Sequence, residues 1–162
     1  MVVKFEFSKD TKRPRGTEHI RISGDDLLEL LCAHQKFGFW RSELDTGHTF
    51  WSRDIFDIYG LPFTEGPVNL SAANAIVHPD DLRYMLLLTE RSAREKTGFH
   101  YVLRLLGPHG HHRYVRSVGR YRVTGEGREE LYGTFELFHD QSRLVGVVDS
   151  LDRPDPEDVS QP

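Results

Sequence analysis

Histidine and cysteine are the side chains here best suited to metal binding or nucleophilic chemistry, and their positions limit that chemistry. His109, His111 and His112 form a compact cluster. With a distant histidine they could hold zinc or nickel. The same spacing suits a polar hairpin turn, in which neighbouring side chains point to opposite faces. We favour the turn and expect no metal site.

Catalytic motifs are not evident elsewhere in the sequence. Nucleophilic triads place a serine or cysteine beside a histidine and a carboxylate, and we find no nucleophile elbow and no phosphate-cradling glycine loop. The adjacent carboxylates of Asp80 and Asp81 are explained by the positive end of a helix that they begin. The single cysteine, Cys32, is interpreted as a small buried hydrophobic residue. We therefore expect a protein that is not an enzyme.

Bulk composition restricts the partners. The 162 residues carry a net charge of -4 and are 38% hydrophobic, which fits one domain with tails and gives no reason to expect nucleic acid or an anionic membrane as partner. No apolar run approaches the ~20 residues that span a bilayer. With one cysteine and no signal peptide at the start, the sequence predicts a cytoplasmic location.

The elements that must position these residues begin with a flanking amphipathic helix over residues 23–37, after an N-terminal extension over 1–22. Ser23 or Gly24 would cap it, and Gly38 would end it. Its apolar face includes Phe37 and the interface candidates Leu27, Leu28 and Leu31. Residues 141–162, rich in acidic residues and proline, are expected to be a disordered tail.

A hairpin and three helices are predicted next. Phe39–Leu44 and His48–Trp51 alternate as paired strands around a turn at residues 45–47. Ser52 would cap a short helix that Gly60 ends, and Val68–Val77 reads as a second short helix. A long helix starts at His78-Pro79-Asp80-Asp81, would end at Gly98, and has an apolar stripe of Leu82, Met85, Leu86, Thr89 and Ala93.

Three amphipathic strands separated by glycine turns complete the predicted antiparallel sheet, whose two faces follow from the alternation of side chains. The inward set, with the helices over it, supplies the candidates for a ligand pocket, which are Trp40, Trp51, Ile55, Tyr59, Tyr101, Leu103, Val115, Ser117 and Phe135. Ser117, Gly119 and Gly133 are small and could leave a cavity among them. The alternative is a filled core.

The outward set is unusually apolar for an exposed antiparallel face. It mixes arginines, namely Arg104, Arg116, Arg120 and Arg122, with the interface candidates Val102, Tyr114, Val118, Tyr132 and Phe138. Large apolar groups beside arginine are typical of an interface. We expect this face to be covered by the flanking helix, from its own chain or from a second copy.

Over about residues 37–139 the chain resembles a PAS domain of the bacterial sensor-kinase type. The resemblance depends on several motifs in the correct order: Gly38-Phe39-Trp40, Leu44-Asp45-Thr46-Gly47, Trp51-Ser52, Ile58-Tyr59-Gly60-Leu61, His78-Pro79-Asp80-Asp81, Arg104, Pro108-His109-Gly110, Tyr114-Val115-Arg116 and Gly133-Thr134. It implies an α+β fold with a five-stranded antiparallel sheet and helices on one face, here over residues 38–140.

Departures from the family pattern refine the expectation. Leu137-Phe138-His139 replaces the Asp-x-Thr signature that often couples the last strand to an output helix, which favours a freestanding PAS protein. A flavin adduct needs a cysteine on a helix beside the flavin, whereas Cys32 precedes the domain. Haem sensors of this fold commonly use a histidine within the long helix, and residues 79–97 contain none. We therefore expect no cofactor.

The resulting hypothesis is a non-catalytic sensory and interaction protein of bacterial signal transduction. It would act through protein contacts, as a homodimer or as an adaptor to a sensor kinase, such as a histidine kinase of two-component signalling, or to a response regulator. The alternative is a sensor that binds a small metabolite in the pocket.

Overall fold

The computed structural model describes residues 5–8, 18–33 and 35–138. The described residues divide into two units, one with residues 5–8 and 36–138 and the other with residues 18–33 and 35. The predicted tail over 141–162 lies outside the described residues, and the predicted domain boundaries stay predictions. In the described part of the chain, no helix is both long and apolar enough to cross a membrane.

The larger unit contains an antiparallel sheet, which confirms the predicted fold class. Its strands are β1 (Phe5–Ser8), β2 (Phe37–Glu43), β3 (Thr49–Trp51), β4 (Gly98–Leu106), β5 (His112–Val123) and β6 (Glu129–Leu137). Across the described residues they pair in the order β1-β4-β5-β6-β2-β3. Strand β1, within the predicted N-terminal extension, adds a sixth strand beside β4.

The smaller unit contains helix α1 (Gly24–Cys32). A capping box begins it: Ser23 accepts a hydrogen bond from the Asp26 backbone N–H, and Asp26 accepts one from the Ser23 backbone N–H. The helix ends at Cys32, five residues short of the predicted end. Phe37, predicted on its apolar face, lies in β2 instead, and Cys32 is exposed rather than buried.

Gly38 does not end a helix but lies within β2, because helix α2 (Arg53–Tyr59) crosses the strand there. A β-carbon at Gly38 would overlap the side chain of Ile55. Ser52 precedes α2 as predicted, but its hydroxyl accepts from the Phe39 backbone N–H at 3.0 Å and leaves the helix uncapped. Gly60, at φ 71°, ends α2 as predicted.

Helix α3 (Leu70–Asn74) is shorter than the predicted Val68–Val77. Both ends of the predicted range make strand-like bonds instead. The Val68 N–H donates to the Thr49 carbonyl at 2.8 Å, and Val77 forms a bridge with Leu105 of β4.

Helix α4 (Pro79–Glu95) begins where the sequence predicted it, with His78 as N-cap accepting from the Asp80 N–H at 3.2 Å. It ends at Lys96, which adopts a left-handed conformation at φ 54°, so Gly98 starts β4 rather than ending the helix. The predicted buried stripe is partly wrong. Leu86 is 49% exposed, whereas Leu88 and Ser92 are buried against the sheet.

Asp81 is buried, and its role exceeds that of a residue at a helix start. Its carboxylate accepts bonds from the Arg104 backbone N–H at 2.8 Å and from two guanidinium nitrogens at 2.9 and 2.6 Å. This stretch also lies along β4, since the His78 N–H donates to the Arg104 carbonyl at 2.9 Å. The ion pair therefore fixes the start of α4 to strand β4.

Candidate functional site

A cavity of about 110 Å³ lies between the inner face of the sheet and the helices. The sheet supplies one wall, formed by Trp40, Ser42, Thr49, Trp51, Phe99, Tyr101 and Phe135. The helical side supplies the other, formed by Tyr59, Leu70, Ala73, Asn74, Met85 and Thr89. The volume is below the roughly 300–1,000 Å³ typical of sites for drug-sized ligands.

The pocket candidates named from the sequence divide between this cavity and the core beside it. The aromatic candidates line the cavity, namely Trp40, Trp51, Tyr59, Tyr101 and Phe135. The others, Ile55, Leu103, Val115 and Ser117, are almost fully buried in the core. Residues of α3 and α4, which the sequence analysis did not name as pocket candidates, complete the wall.

The small residues Ser117 and Gly119 of β5 and Gly133 of β6 do not line the cavity. A β-carbon at Gly119 would overlap the ring of Phe99, so that ring occupies the space the glycine leaves. Phe99 in turn stacks on Tyr101, with ring centroids 5.6 Å apart, and on Trp40 at 5.8 Å. This aromatic stack forms the cavity wall in place of the small residues.

Two tyrosines give the cavity polar atoms. Burial raises the pKa of Tyr59 well above its ordinary value, with the neighbouring Tyr101 adding to the effect. Burial also raises the pKa of Tyr101 to about 12, against the opposing effect of a hydrogen bond with Ser117. Both hydroxyls therefore keep their protons at neutral pH and remain able to donate.

Trp40 connects the cavity wall to the next strands. Its indole N–H donates to the Ser117 hydroxyl at 3.1 Å and to the Thr134 carbonyl at 3.2 Å. Ser117 itself donates to the same carbonyl at 2.9 Å. A displacement of Trp40 would therefore change a hydrogen bond to the backbone of β6.

The outer face of the sheet, opposite α2, α3 and α4, has an apolar centre. Phe39 and Val118 both pair with Thr134 in the strand register, so the three residues form a row across β2, β6 and β5. Phe39 is 38% exposed and Val118 is 42% exposed. We call this row the outer strip.

Ion pairs flank one side of the outer strip. Glu130 accepts from Arg122 at 2.8 Å and from Arg41 at 3.1 Å, and Arg41 also donates to Glu43 at 2.8 Å. The hydrogen bond from Arg41, with another from a threonine, holds the pKa of Glu43 below its ordinary value. Arg122 lies over the ring of Tyr132, 4.4 Å from its centroid.

A further ion pair, Arg116 with Glu136, lies on the other side of the strip. The alternation in the sequence predicted the arginines of this face but not the glutamates that pair with them. Glu130 and Glu136 are both only 4% exposed, because the arginine side chains lie over them. The signal was present: Arg122 pairs with Glu130 and Arg116 with Glu136 in the hairpin register.

The remaining interface candidates occupy the positions that the alternation predicted. Val102, Tyr114, Tyr132 and Phe138 are half-buried residues of the outer face. On α1, Leu28 and Leu31 are exposed and Leu27 is half-buried. The packing of α1 on the outer face stays a prediction.

The clustered histidines lie in and directly after the turn between β4 and β5. His109 lies in a single helical turn over Pro108–Gly110 with φ 58°, and His111 and His112 are exposed. His112 contacts the ring of His78 edge-on, with centroids 5.2 Å apart. Among the described residues, no group of three or more His, Cys, Asp or Glu side chains could hold a metal ion.

The comparisons with known proteins agree with this architecture. A family profile described as PAS fold matches residues 48–139. No curated protein matches the chain.

Three solved structures, each 18% identical to this chain, share its fold. A domain of the putative light and redox sensing histidine kinase from Haloarcula marismortui has a TM-score of 0.55, covering 71% of this chain and 99% of that chain. The N-terminal domain of a diguanylate cyclase with PAS/PAC sensor from Marinobacter aquaeolei has a TM-score of 0.52, covering 62% and 93%. A sensory box histidine kinase/response regulator from Burkholderia thailandensis has a TM-score of 0.52, covering 68% of this chain and 82% of that chain.

At this identity the structural neighbours show the fold alone. The family profile spans more than half of the chain, from strand β3 through helices α2, α3 and α4 to the last three strands. The chain therefore belongs to the PAS fold family.

Proposed function

We propose that this chain is a non-catalytic sensory and interaction module that signals through protein contacts made by the outer face of its sheet. The observation that carries the proposal is the outer strip, in which Phe39 and Val118 lie exposed between two rows of ion pairs. An apolar centre with a polar rim is the usual anatomy of a protein interface.

The charges of the outer face support the same function. Arg116 and Arg122 are each paired with a buried glutamate, so a partner covering them would not bury an unpaired charge, which is costly. The partner is a second copy of this chain or a signalling protein such as a histidine kinase or a response regulator. The structural neighbours from a histidine kinase and from a histidine kinase/response regulator make that class the first to test.

Replacing Val118 by aspartate is expected to weaken association by about 30-fold, since placing a charge at the centre of an interface costs about 2 kcal/mol. Sedimentation velocity over a concentration series measures self-association, and titration with the purified partner measures the heterologous contact. Val123→Asp is the matched control, because Val123 is 55% exposed on the same strand but belongs to the inward alternation. Equal affinities for the two variants would contradict the proposal.

A small-molecule signal is the second candidate function, favoured by the cavity and by its buried tyrosines. A ligand that prefers one packing of the domain would shift the population of that packing. Trp40 is the residue placed to transmit the shift, because it lines the cavity and bonds to Thr134, the central residue of the outer strip.

Trp40→Phe is expected to uncouple the cavity from the outer face, because the phenyl ring keeps the apolar wall but loses both donated hydrogen bonds. In the unchanged protein, saturating the cavity should alter the association constant by about fivefold or more, and in the variant by less than twofold. Trp51→Phe is the control, since Trp51 lines the same cavity and contacts Phe56 and Tyr59. An undiminished effect in Trp40→Phe would rule out this route.

A further inference from the structure

The chemistry of the cavity wall defines the class of ligand, and this inference rests on the ligand-sensing function proposed above. We propose that the cavity binds a small, uncharged, planar molecule of phenol size that offers one oxygen atom as a hydrogen-bond acceptor to Tyr59. The size, the charge, the shape and the polar contact follow from separate observations.

Size is set by the volume. A cavity of about 150 Å³ in a protein core accommodates benzene, and this one measures about 110 Å³. A ligand with on the order of six or seven non-hydrogen atoms therefore fits with small adjustments of Met85, an adaptable side chain on the wall. Larger ligands such as nucleotides or flavins would require the helices to move.

The residues that line the cavity exclude a charged ligand. None of the described residues that form the wall is an aspartate, glutamate, lysine, arginine or histidine. An ionised ligand would lose its hydration without gaining a counter-charge, which is strongly unfavourable. The ligand must therefore enter in a neutral form.

Shape follows from the aromatic surfaces. Phe99 and Tyr101 lie parallel within 7°, and Trp51 packs against Tyr59 with centroids 4.6 Å apart. Walls of this kind favour a flat ligand, because aromatic rings gain most in offset-stacked and edge-to-face contacts. A branched aliphatic molecule of equal volume would make fewer of these contacts.

The polar contact is supplied by Tyr59, which is only 6% exposed. Among the described residues, none donates to or accepts from its hydroxyl. Because Tyr59 lines the cavity, its hydroxyl is available to donate a hydrogen bond to a ligand oxygen. The other hydroxyls near the cavity already bond, since Ser42 pairs with Thr49 at 2.8 Å and Thr89 donates to the Met85 carbonyl.

Phenol and toluene test the proposal as probes, because they have the same shape and differ in one hydroxyl. Titration calorimetry of the full chain is expected to give one phenol site, with toluene binding more weakly. In Tyr59→Phe the affinity for phenol should fall about tenfold, the value of one hydrogen bond, while the affinity for toluene stays unchanged. Benzoate, the charged probe, should not bind.

A second variant covers the case in which Tyr59→Phe loses stability. Ala73→Leu fills the cavity from α3, where Ala73 is 3% exposed on its wall, and it should abolish binding of both neutral probes. Equal affinity for phenol and toluene, binding of benzoate, or unchanged binding in Ala73→Leu would overturn the proposed class.

Native mass spectrometry of the purified full chain separates this inference from the function on which it rests. An adduct of a charged or much larger molecule would retain ligand sensing and overturn the phenol-sized class. Absence of any adduct, together with no binding of phenol or toluene, would overturn both and leave the contact function of the outer strip, which Val118→Asp tests independently.

Discussion

Replacing Asp81 by asparagine is expected to lower the free energy of unfolding by about 3 kcal/mol at neutral pH. Asp81 is 1% exposed, and its carboxylate accepts from the backbone N–H and from the guanidinium of Arg104. An asparagine would turn an N–H₂ group towards the guanidinium and leave the Arg104 side chain, only 17% exposed, without its counter-charge. Helix α4 would lose its attachment to β4.

The stability lost in Asp81→Asn depends on pH, in a direction that follows from the pKa of Asp81. Burial acts to raise that pKa, but the hydrogen bonds from Arg104 outweigh it and hold the pKa below its ordinary value. The stabilisation is therefore fully present above about pH 4, the value for an unfolded aspartate, and disappears as the pH falls through the folded pKa. Urea unfolding at pH 7 and pH 3 should give a smaller difference between variant and unchanged protein at the lower pH.

Asp80→Asn provides the control for the adjacent position. Asp80 is 77% exposed and lies 3.8 Å from an Arg104 nitrogen, so its removal should cost less than about 1 kcal/mol. If both variants lost the same stability at pH 7, helix-start electrostatics would explain both residues and the buried ion pair would have no special role.

Local sequence patterns predicted the elements whose determinants are local. The start of α4 depends on His78 and Pro79, which act within a single turn. The inward face of β4 also followed from alternation, since Phe99, Tyr101, Leu103 and Leu105 are all buried. In these places the residues that determine the structure are neighbours in the chain.

Elements determined by distant partners were predicted less well. Gly38 has the sequence signature of a helix end, yet it lies in β2. The side chain of Ile55 in α2 occupies the space that a β-carbon at Gly38 would fill. Ser52 similarly precedes a helix but bonds across to Phe39. Both errors arise from close contacts between elements, which no local pattern contains.

The candidate site shows the same division. The sequence identified the aromatic sheet residues of the cavity, but Ala73 and Thr89 become part of the wall only through the placement of α3 and α4. On the outer face, the exposure of Val118 followed from alternation. The neutralisation of Arg122 by Glu130 required the hairpin register, which depends on the length of the turn at residues 124–128.

Gly133→Ala is expected to lower the free energy of unfolding by about 3 kcal/mol, the upper end of the usual cost of overpacking. Gly133 pairs with Gly119 in the register of β5 and β6. A β-carbon there would overlap the Val118 carbonyl oxygen and lie 2.9 Å from the Gly119 α-carbon. These are backbone atoms, so no side-chain rotation relieves the overlap and the two strands must separate locally.

Gly125→Ala is the matched control, because a β-carbon at Gly125 meets no atom within 4 Å. Its free energy of unfolding should be unchanged or higher by up to about 1 kcal/mol, since alanine restricts the unfolded chain. Chemical denaturation followed by tryptophan fluorescence compares the two variants, and Trp40 reports on the damaged region because it bonds to the adjacent Thr134. Near-equal stabilities would mean that β5 and β6 separate at little cost. The Trp40 route from cavity to outer strip would then lose its rigid framework, because a strand that yields so easily absorbs a displacement rather than passing it to Val118.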